Sequence, residues 1–256
     1  MDLAIQTTAL SRSFGSVRAV DGVDLRVEPG TFYGFLGPNG AGKSTTIKML
    51  TGLLAPTAGT ISVLGQDPRN SAQALVMKSR IGVVPEDLAL FDNLTAREYL
   101  TFVGRMHSMS KDTLQGRIDE LLPLFSLEKE TSKLTVEYSS GMKKKLALAA
   151  ALLPNPDLLF LDEPFEGVDA VASRTIRTIL AGFVGRGSTV FLTSHVLEIV
   201  ERLCTHVGII VAGVLVEQTA LDDLGSGGSL EQRFLEVVGT DLEEDHQLSW
   251  LGEGSL

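Results

Sequence analysis

The sequence is poor in several features that would assign it to particular classes of protein. It has one cysteine, Cys204, so no intrachain disulfide can form, and a reducing compartment is expected. Its longest apolar runs, Leu146–Leu153 and Val207–Val216, fall short of the roughly 20 residues that span a bilayer. The first residues lack a basic stretch followed by an apolar core, so no signal peptide is predicted. A membrane role would therefore depend on a partner.

Positive charge is also scarce. The chain has 22 Lys and Arg against 32 Asp and Glu, which gives a formal net charge of −10. Nucleic-acid phosphates repel an acidic protein at long range, so general nucleic-acid binding is not expected. Apolar residues make up 44% of the sequence, which is enough for a substantial core. The length suits one α/β domain, or one domain with an inserted subdomain.

Apolar, strand-like segments alternate with helix-period segments over much of the chain. Strands are predicted at Val17–Val27, Thr31–Leu36, Thr60–Leu64, Ile81–Val84, Asp157–Leu161 and Ser188–Leu192, and a hairpin at Val207–Val211 and Val214–Glu217. Helices are predicted from Lys43 to about Leu50, at Ala170–Val184 and at Val196–Leu203. This alternation favours an α/β fold with a mostly parallel sheet covered on both faces.

Strand signals vanish in the middle of the chain and helical periodicity replaces them. Helices are predicted at Ala96–Met106, Thr113–Phe125 and Gly141–Leu153, so residues 95–154 are interpreted as an inserted helical subdomain. Residues 1–94 and 155–219 then form the α/β core. Residues 220–256 are a C-terminal extension with one short predicted helix at Leu230–Val238 and an acidic tail.

A glycine-rich loop follows the second of these strands. Gly37–Ser44 matches the pattern G-x-x-x-x-G-K-[ST] and lies between a predicted strand and a predicted helix. Glycines let backbone N–H groups point at an anion, and the helix N-terminus adds partial positive charge. Lys43 would reach the β- and γ-phosphates of ATP, and the Ser44 hydroxyl would bind Mg²⁺. The nucleotide contacts predicted for this loop are Gly37, Asn39, Gly40, Ala41, Gly42, Lys43, Ser44 and Thr45.

Two carboxylates follow the apolar strand Asp157–Leu161. Asp162 would bind Mg²⁺, and Glu163 would polarise the attacking water in ATP hydrolysis. His195 follows the next strand, at the sheet edge where α/β proteins bind ligands, and is a candidate for contacting the γ-phosphate.

These motifs, in this order, resemble the nucleotide-binding subunits of ABC transporters. The deciding segment is Tyr138–Met142, Tyr-Ser-Ser-Gly-Met, which is similar to the family signature LSGGQ and opens a helix before Asp162. The resemblance extends from Leu3 to Glu217. The signature variant is similar to those of ABC-2-type exporter ATPases. This resemblance implies a P-loop NTPase core with an N-terminal antiparallel β-subdomain and an inserted helical subdomain.

The resemblance also implies roles for further residues. Phe14 would stack on adenine, and a core position is the other interpretation of this residue. Ser139 and Gly141 would contact the γ-phosphate bound by the opposite subunit of a head-to-tail dimer. Asp169 would lie at the dimer interface, and His195 matches the switch histidine. The implied partners are a second ATPase subunit, identical or paralogous, and an integral membrane permease subunit at the cytoplasmic face of the membrane.

Two positions depart from the family pattern. Glu86 stands where the family usually has Gln, and it is expected to bind Mg²⁺ or water while adding negative charge near the γ-phosphate. Ser140 and Met142 replace Gly and Gln of the signature. The three lysines that follow, 143–145, are interpreted as a solvated helix face.

Two other functions stay open from the sequence. One is an ABC-type ATPase that acts on ribosomes or DNA, which the single ATPase unit and the acidic charge disfavour. The other is an ATP-sensing module without useful hydrolysis, which Glu163 and His195 disfavour but Glu86 and the altered signature leave open.

Overall fold

A six-stranded sheet forms the centre of the fold in the computed structural model, which describes residues 2–130, 132–227 and 229–239. The strands lie in the order β10 (Val214–Ala220), β9 (His206–Val211), β4 (Phe32–Leu36), β8 (Thr189–Ser194), β7 (Leu158–Asp162) and β6 (Ile81–Val84). All neighbouring pairs are parallel except the β9–β10 hairpin. Every residue of β4, β7 and β8 is buried, which explains their continuous apolar sequences.

A second, antiparallel sheet contains the N-terminal strands. It consists of β1 (Ile5–Phe14), β2 (Val17–Val23), β3 (Arg26–Val27) and β5 (Ala58–Val63). The prediction of one strand over Val17–Val27 is wrong, because β2 pairs with the second half of β1 and β3 with its first residues. Asp24 lies between them and accepts a hydrogen bond from the Ala9 backbone N–H. Strand β1 itself was not predicted, because register shifts interrupt its inward and outward alternation.

Helices cover both faces of the parallel sheet. They are α1 (Lys43–Leu50), α2 (Ser71–Arg80), α6 (Ala170–Gly185) and α7 (Leu197–Leu203). Helix α2 was not predicted, although Asn70 at its N-cap accepts hydrogen bonds from the Ala72 and Gln73 backbone N–H groups. Cys204, directly after α7, is a buried apolar residue as predicted, and burial raises the pKa of its thiol.

The middle of the chain is helical, as predicted. It forms α3 (Ala96–Met106), α4 (Lys111–Leu124) and α5 (Ser140–Leu152), whose N-caps are Thr95, Ser110 and Ser139. Buried residues of these helices share one hydrophobic cluster with the parallel sheet. The exact bounds proposed for the subdomains stay predictions.

Helix α8 (Leu230–Val238) is present in the C-terminal extension. It contacts the core through Leu230, whose backbone N–H donates to Glu201, and through an ion pair between Arg233 and Glu217. Residues 240–256 of the predicted extension lie outside the described residues. Within the described ranges, no helix combines the length and the apolar character needed to cross a bilayer.

Candidate nucleotide site

The carboxyl ends of three parallel strands meet at the candidate site. The register places Leu36 of β4 beside Ser194 of β8, and Asp162 of β7 beside Thr193 of β8. The loops that leave these strands contain the phosphate loop, Glu163 and His195. Ligands bind at this edge of open α/β sheets, so the topology brings together segments that are far apart in the sequence.

The phosphate loop leads directly into α1. Gly42 is the N-cap of the helix and has a left-handed backbone conformation, φ 106°. A Cβ atom at this position would overlap the backbone oxygen of Ala19, so glycine is required for both reasons. The loop therefore packs tightly against β2 while the positive end of the α1 dipole faces the cleft.

Lys43 lies beneath the phosphate loop and is 7% exposed. Its ammonium donates hydrogen bonds to the Gly37 carbonyl at 2.7 Å and the Pro38 carbonyl at 3.2 Å. The same ammonium is 3.9 Å from Glu163 Oε1. Lys43 is thus a buried cation placed between the phosphate loop and a carboxylate.

Two neighbouring carboxylates face different partners at the end of β7. Asp162 Oδ1 accepts a hydrogen bond of 2.6 Å from the hydroxyl of Thr193, which in turn accepts one from the Glu163 backbone N–H at 3.1 Å. Glu163 Oε2 lies 3.0 Å from His195 Nδ1, and His195 is 47% exposed. The Glu163 carboxylate is therefore located between Lys43 and His195. Thr193 is a site residue that sequence reasoning missed, because it lies within the apolar strand β8.

Glu163 has a left-handed backbone conformation, φ 47°, which for a residue other than glycine costs about 1–3 kcal/mol. Lys144 supports this conformation, because its ammonium donates to the Glu163 carbonyl at 2.6 Å and to the Glu166 carbonyl at 3.1 Å. The interpretation of lysines 143–145 as a solvated face is thus wrong for Lys144, which is 5% exposed. Desolvation lowers the pKa of Lys144, and attraction to nearby carboxylates opposes that shift.

Ser44 and Glu86 lie on the open side of the site. The Ser44 hydroxyl is 3.4 Å from Glu86 Oε2, a long hydrogen bond, and Glu86 is exposed. Among the described residues, no group of three or more His, Cys, Asp or Glu side chains could hold a metal ion by itself. Mg²⁺ at phosphate sites needs only one or two protein oxygens, with water and phosphate as its other ligands. The hydroxyl and carboxylates present fit that requirement.

These groups surround a cleft of about 360 Å³. Its lining includes the predicted residues Asn39, Gly40, Ala41, Gly42, Lys43, Ser44, Thr45, Glu86, Glu163 and His195, together with Ala19 and Glu166, which were not predicted. Gly37 and Asp162 are buried next to the lining. The structure thus brings most of the predicted nucleotide contacts into one cavity.

Phe14 lies outside this cleft lining, at the end of β1. Its ring is 48% exposed, so it is not a core residue. The Arg12 guanidinium lies over one face of the ring, 4.6 Å from its centroid.

Ser139, Gly141 and Asp169 are also separate from the cleft lining of their own chain. Ser139 is the N-cap of α5 and accepts a hydrogen bond from the Met142 backbone N–H. Asp169 is the N-cap of α6, and its hydrogen bonds from backbone N–H groups lower the pKa of its carboxyl. All three positions are at or near the surface.

A phosphate loop, a strand that ends in two carboxylates and a histidine at the same sheet edge define a P-loop nucleotide-binding protein. A family model for the ABC transporter domain matches residues 20–166. The bacitracin transport ATP-binding protein BcrA of Bacillus licheniformis is 40% identical over 88% of this chain and 72% of its own. The Nod factor export ATP-binding protein I of Paraburkholderia xenovorans is 41% identical over 86% of this chain and 71% of its own.

Solved structures agree with these sequence matches. The ATP-binding subunit of an ABC transporter superimposes with a TM-score of 0.87 at 29% identity, over 93% of this chain and all of that one. The dimeric bacterial cassette MJ0796, at 22% identity, covers 84% of this chain and 98% of its own with a TM-score of 0.78, and supports the fold. The chain belongs to the ABC transporter family, as an ATP-binding subunit of the ATPase class. The predicted family and fold are confirmed.

Proposed function

We propose that this chain is the ATP-hydrolysing subunit of an ABC exporter and that Glu163 activates the attacking water. The observation that supports this proposal best is the location of the Glu163 carboxylate, 3.9 Å from Lys43 Nζ and 3.0 Å from His195 Nδ1. It lies beside the phosphate loop, where a γ-phosphate would face it. A carboxylate there can accept a proton from water as water attacks phosphorus.

The other site residues bind and orient the nucleotide in this proposal. Backbone N–H groups of the loop 37–44 and the N-terminus of α1 bind the phosphates. Lys43 exchanges its two carbonyl partners for phosphate oxygens. His195 contacts the γ-phosphate, and the exposed ring of Phe14 stacks on adenine.

Ser44, Asp162 and Glu86 are the proposed protein ligands for Mg²⁺. When bound, this ion neutralises charge that develops on the phosphate oxygens during transfer. Thr193 keeps Asp162 in a fixed orientation through its 2.6 Å hydrogen bond, so that one carboxylate oxygen is left for the ion or its water. Glu86 gives the site one more negative charge than the usual Gln, and we expect it to alter the Mg²⁺ dependence of turnover.

Two copies of the chain, or this chain and a paralogue, would complete each site. Ser139, Gly141 and Asp169 are accessible on a surface separate from the cleft of their own chain. Ser139 also caps the N-terminus of α5, a place that suits an anion. A head-to-tail dimer would place these groups against the γ-phosphate of the opposite subunit.

The second proposed partner is an integral membrane permease at the cytoplasmic face of the membrane. A groove of about 460 Å³ lies between the loop after β6 and helices α3 and α5. Leu88, Leu90 and Tyr99 contribute to its apolar lining. Because this loop begins at Pro85 and contains Glu86, a protein bound in the groove would sense changes at the nucleotide. Export is proposed as the direction because one of the similar proteins is named for Nod factor export.

The test is ATP turnover by the purified chain together with Glu163→Gln, with the oligomeric state measured with and without ATP. Glu163→Gln is expected to slow turnover by about 10²–10⁴-fold and to accumulate an ATP-bound dimer, because removing the base leaves binding intact. Glu120→Gln, an exposed glutamate of α4 outside the cleft lining, is the matched control. Normal turnover by Glu163→Gln would contradict the role of this residue. Tight binding without turnover or dimerisation by the wild-type chain would instead point to an obligate paralogue, to activation by the membrane subunit, or to the ATP-sensing alternative.

A further inference from the structure

Lys144 is a buried cation next to the proposed reaction centre, in the second turn of α5. Its neighbours Lys143 and Lys145 are partly exposed, whereas its own side chain points inward and ends at two backbone carbonyls. Lysine is almost never fully buried unless its charge is compensated. The compensation here comes from the segment that contains Glu163, so this ammonium joins α5 to the reaction centre.

Both backbone polar groups of Glu163 have side-chain partners. Thr193 accepts from its N–H at 3.1 Å, and Lys144 donates to its carbonyl at 2.6 Å. The left-handed conformation at Glu163 determines where its carboxylate points, and such a conformation persists only where its surroundings impose it. Lys144 makes no hydrogen bond to the carboxylate itself, which faces Lys43 and His195.

Three carboxylates, Glu86, Glu163 and Glu166, line the cleft next to Lys144. Desolvation lowers the pKa of Lys144, and attraction to these carboxylates and to Asp162 opposes that shift. Of these carboxylates, Glu86 occupies the position where the ABC transporter family usually has an uncharged Gln. A second buried cation besides Lys43 therefore accompanies an added carboxylate in the same site.

We propose that Lys144 is a positioning residue that fixes the backbone of Glu163, and that its charge is functionally coupled to that of Glu86. The inference depends on the proposed role of Glu163 in hydrolysis. It predicts that the two substitutions Lys144→Gln and Glu86→Gln are not independent, since each one changes the electrostatic environment of the other residue.

The experiment measures kcat and KM for ATP in wild type, Glu86→Gln, Lys144→Gln, the double variant and Lys144→Met. Gln retains an N–H donor without charge, whereas Met removes both charge and donor. Lys129→Gln is the matched control, because Lys129 is an exposed lysine of the helical segment. Urea unfolding midpoints of the same nucleotide-free proteins supply a readout that is independent of activity.

Lys144→Met is expected to lower kcat by about 10- to 100-fold, because Glu163 is misplaced. Its KM should stay within about twofold of wild type, since the phosphate loop is untouched. Lys144→Gln should lower kcat less, and the double variant should return to within about twofold of Glu86→Gln alone. Wild-type kcat in Lys144→Met would overturn the positioning role. If Glu86→Gln changes kcat by the same factor in the wild-type and Lys144→Gln backgrounds, the coupling is overturned.

The urea unfolding midpoints test the coupling independently of activity, also where a variant is less stable than wild type. Glu86→Gln is expected to raise the urea midpoint more in the Lys144→Gln background than in the wild-type background. Equal midpoint shifts in the two backgrounds would overturn the coupling. Absent wild-type turnover with unequal shifts would contradict hydrolysis by this chain without a paralogue or permease but would support the coupling. Suppose that wild-type turnover is normal and that Glu86→Gln shifts the midpoint and kcat equally in both backgrounds. This result would contradict the coupling but not the hydrolytic function.

Discussion

Thr193 shows how much of this site depends on one small side chain. Its hydroxyl donates to Asp162 and accepts from the Glu163 backbone N–H, and the residue is fully buried. A buried polar group that loses its partner costs about 1–3 kcal/mol. The orientation of a proposed Mg²⁺ ligand and that of the proposed base are thus linked through a single oxygen atom.

Thr193→Val is expected to lower the free energy of unfolding by about 2 kcal/mol or more, because two buried groups lose their partner while the volume stays the same. ATP turnover should fall by about tenfold or more for the same reason. Thr193→Ser keeps the hydroxyl and is the control. Urea unfolding and steady-state ATPase assays measure both effects. Equal stability and turnover in the Val and Ser variants would show that the hydroxyl has no such role.

Phe14 belongs to the same scale, and its proposed role is to stack on adenine. Phe14→Ala is expected to raise the KM for ATP by about 5- to 100-fold, since stacking a base on an aromatic ring contributes roughly 1–3 kcal/mol. Its kcat at saturating ATP should change little, because the ring lies outside the cleft lining that contains Glu163. Phe14→Tyr retains the stacking face and should behave like wild type. An unchanged KM in Phe14→Ala would remove Phe14 from the proposed adenine contacts.

At the scale of elements, strand β6 and helix α5 pack at unusually short range. A Cβ atom on Gly82 would lie 2.5 Å from the Ala151 carbonyl oxygen and 2.6 Å from Leu159 Cδ2. This contact joins the parallel sheet to the helix that begins with the signature. Glycine at position 82 is therefore required by the approach of α5 and not by its own backbone conformation.

Gly82→Ala is expected to lower the free energy of unfolding by about 1–3 kcal/mol, because neither backbone nor core has space for the methyl group. Gly116→Ala, in the middle of α4, is the matched control, since a Cβ there meets no heavy atom within 4 Å. That substitution should raise stability by about 0.5–1 kcal/mol. Urea titration of the two variants tests this pair. A Gly82→Ala variant as stable as Gly116→Ala would contradict the close packing of α5 on β6.

At the scale of the whole molecule, the net charge of −10 bears on which partners the chain takes. Electrostatic attraction to phosphates supplies most non-specific nucleic-acid affinity, with dissociation constants of about 10⁻⁴–10⁻⁶ M for proteins that bind. An acidic protein lacks that attraction over most of its surface. The proposed permease and second ATPase subunit are partners of a different kind, because binding them does not require attraction to phosphates.

We expect no binding of DNA or RNA oligonucleotides below about 100 μM protein at 150 mM salt, with or without ATP. Fluorescence anisotropy with labelled 30-mers would measure this. Glu163→Gln serves as a second sample, because it should populate the ATP-bound dimer. Saturable binding of either oligonucleotide near 1 μM would favour the alternative of an ABC-type ATPase that acts on ribosomes or DNA.

The sequence by itself predicted most residues of the candidate site. The spacing in Gly37–Ser44 requires a loop of a particular backbone shape, and the apolar run before Asp162 requires a buried strand, so local order predicts phosphate and metal contacts. The same holds for the helices at 96–152, whose caps and periodicity are local signals. These features depend on residues that are near each other in the chain.

Only the tertiary structure decided which additional side chains act on those motifs. Lys144 has the sequence context of an exposed lysine, and Thr193 that of a strand residue, yet they meet Glu163 from 19 and 30 positions away. Likewise, buried and exposed residues do not alternate regularly along β1, because its two ends pair with different strands. Burial, long-range hydrogen bonds and the balance of charge in the cleft arise from packing between distant elements, and no local pattern encodes them.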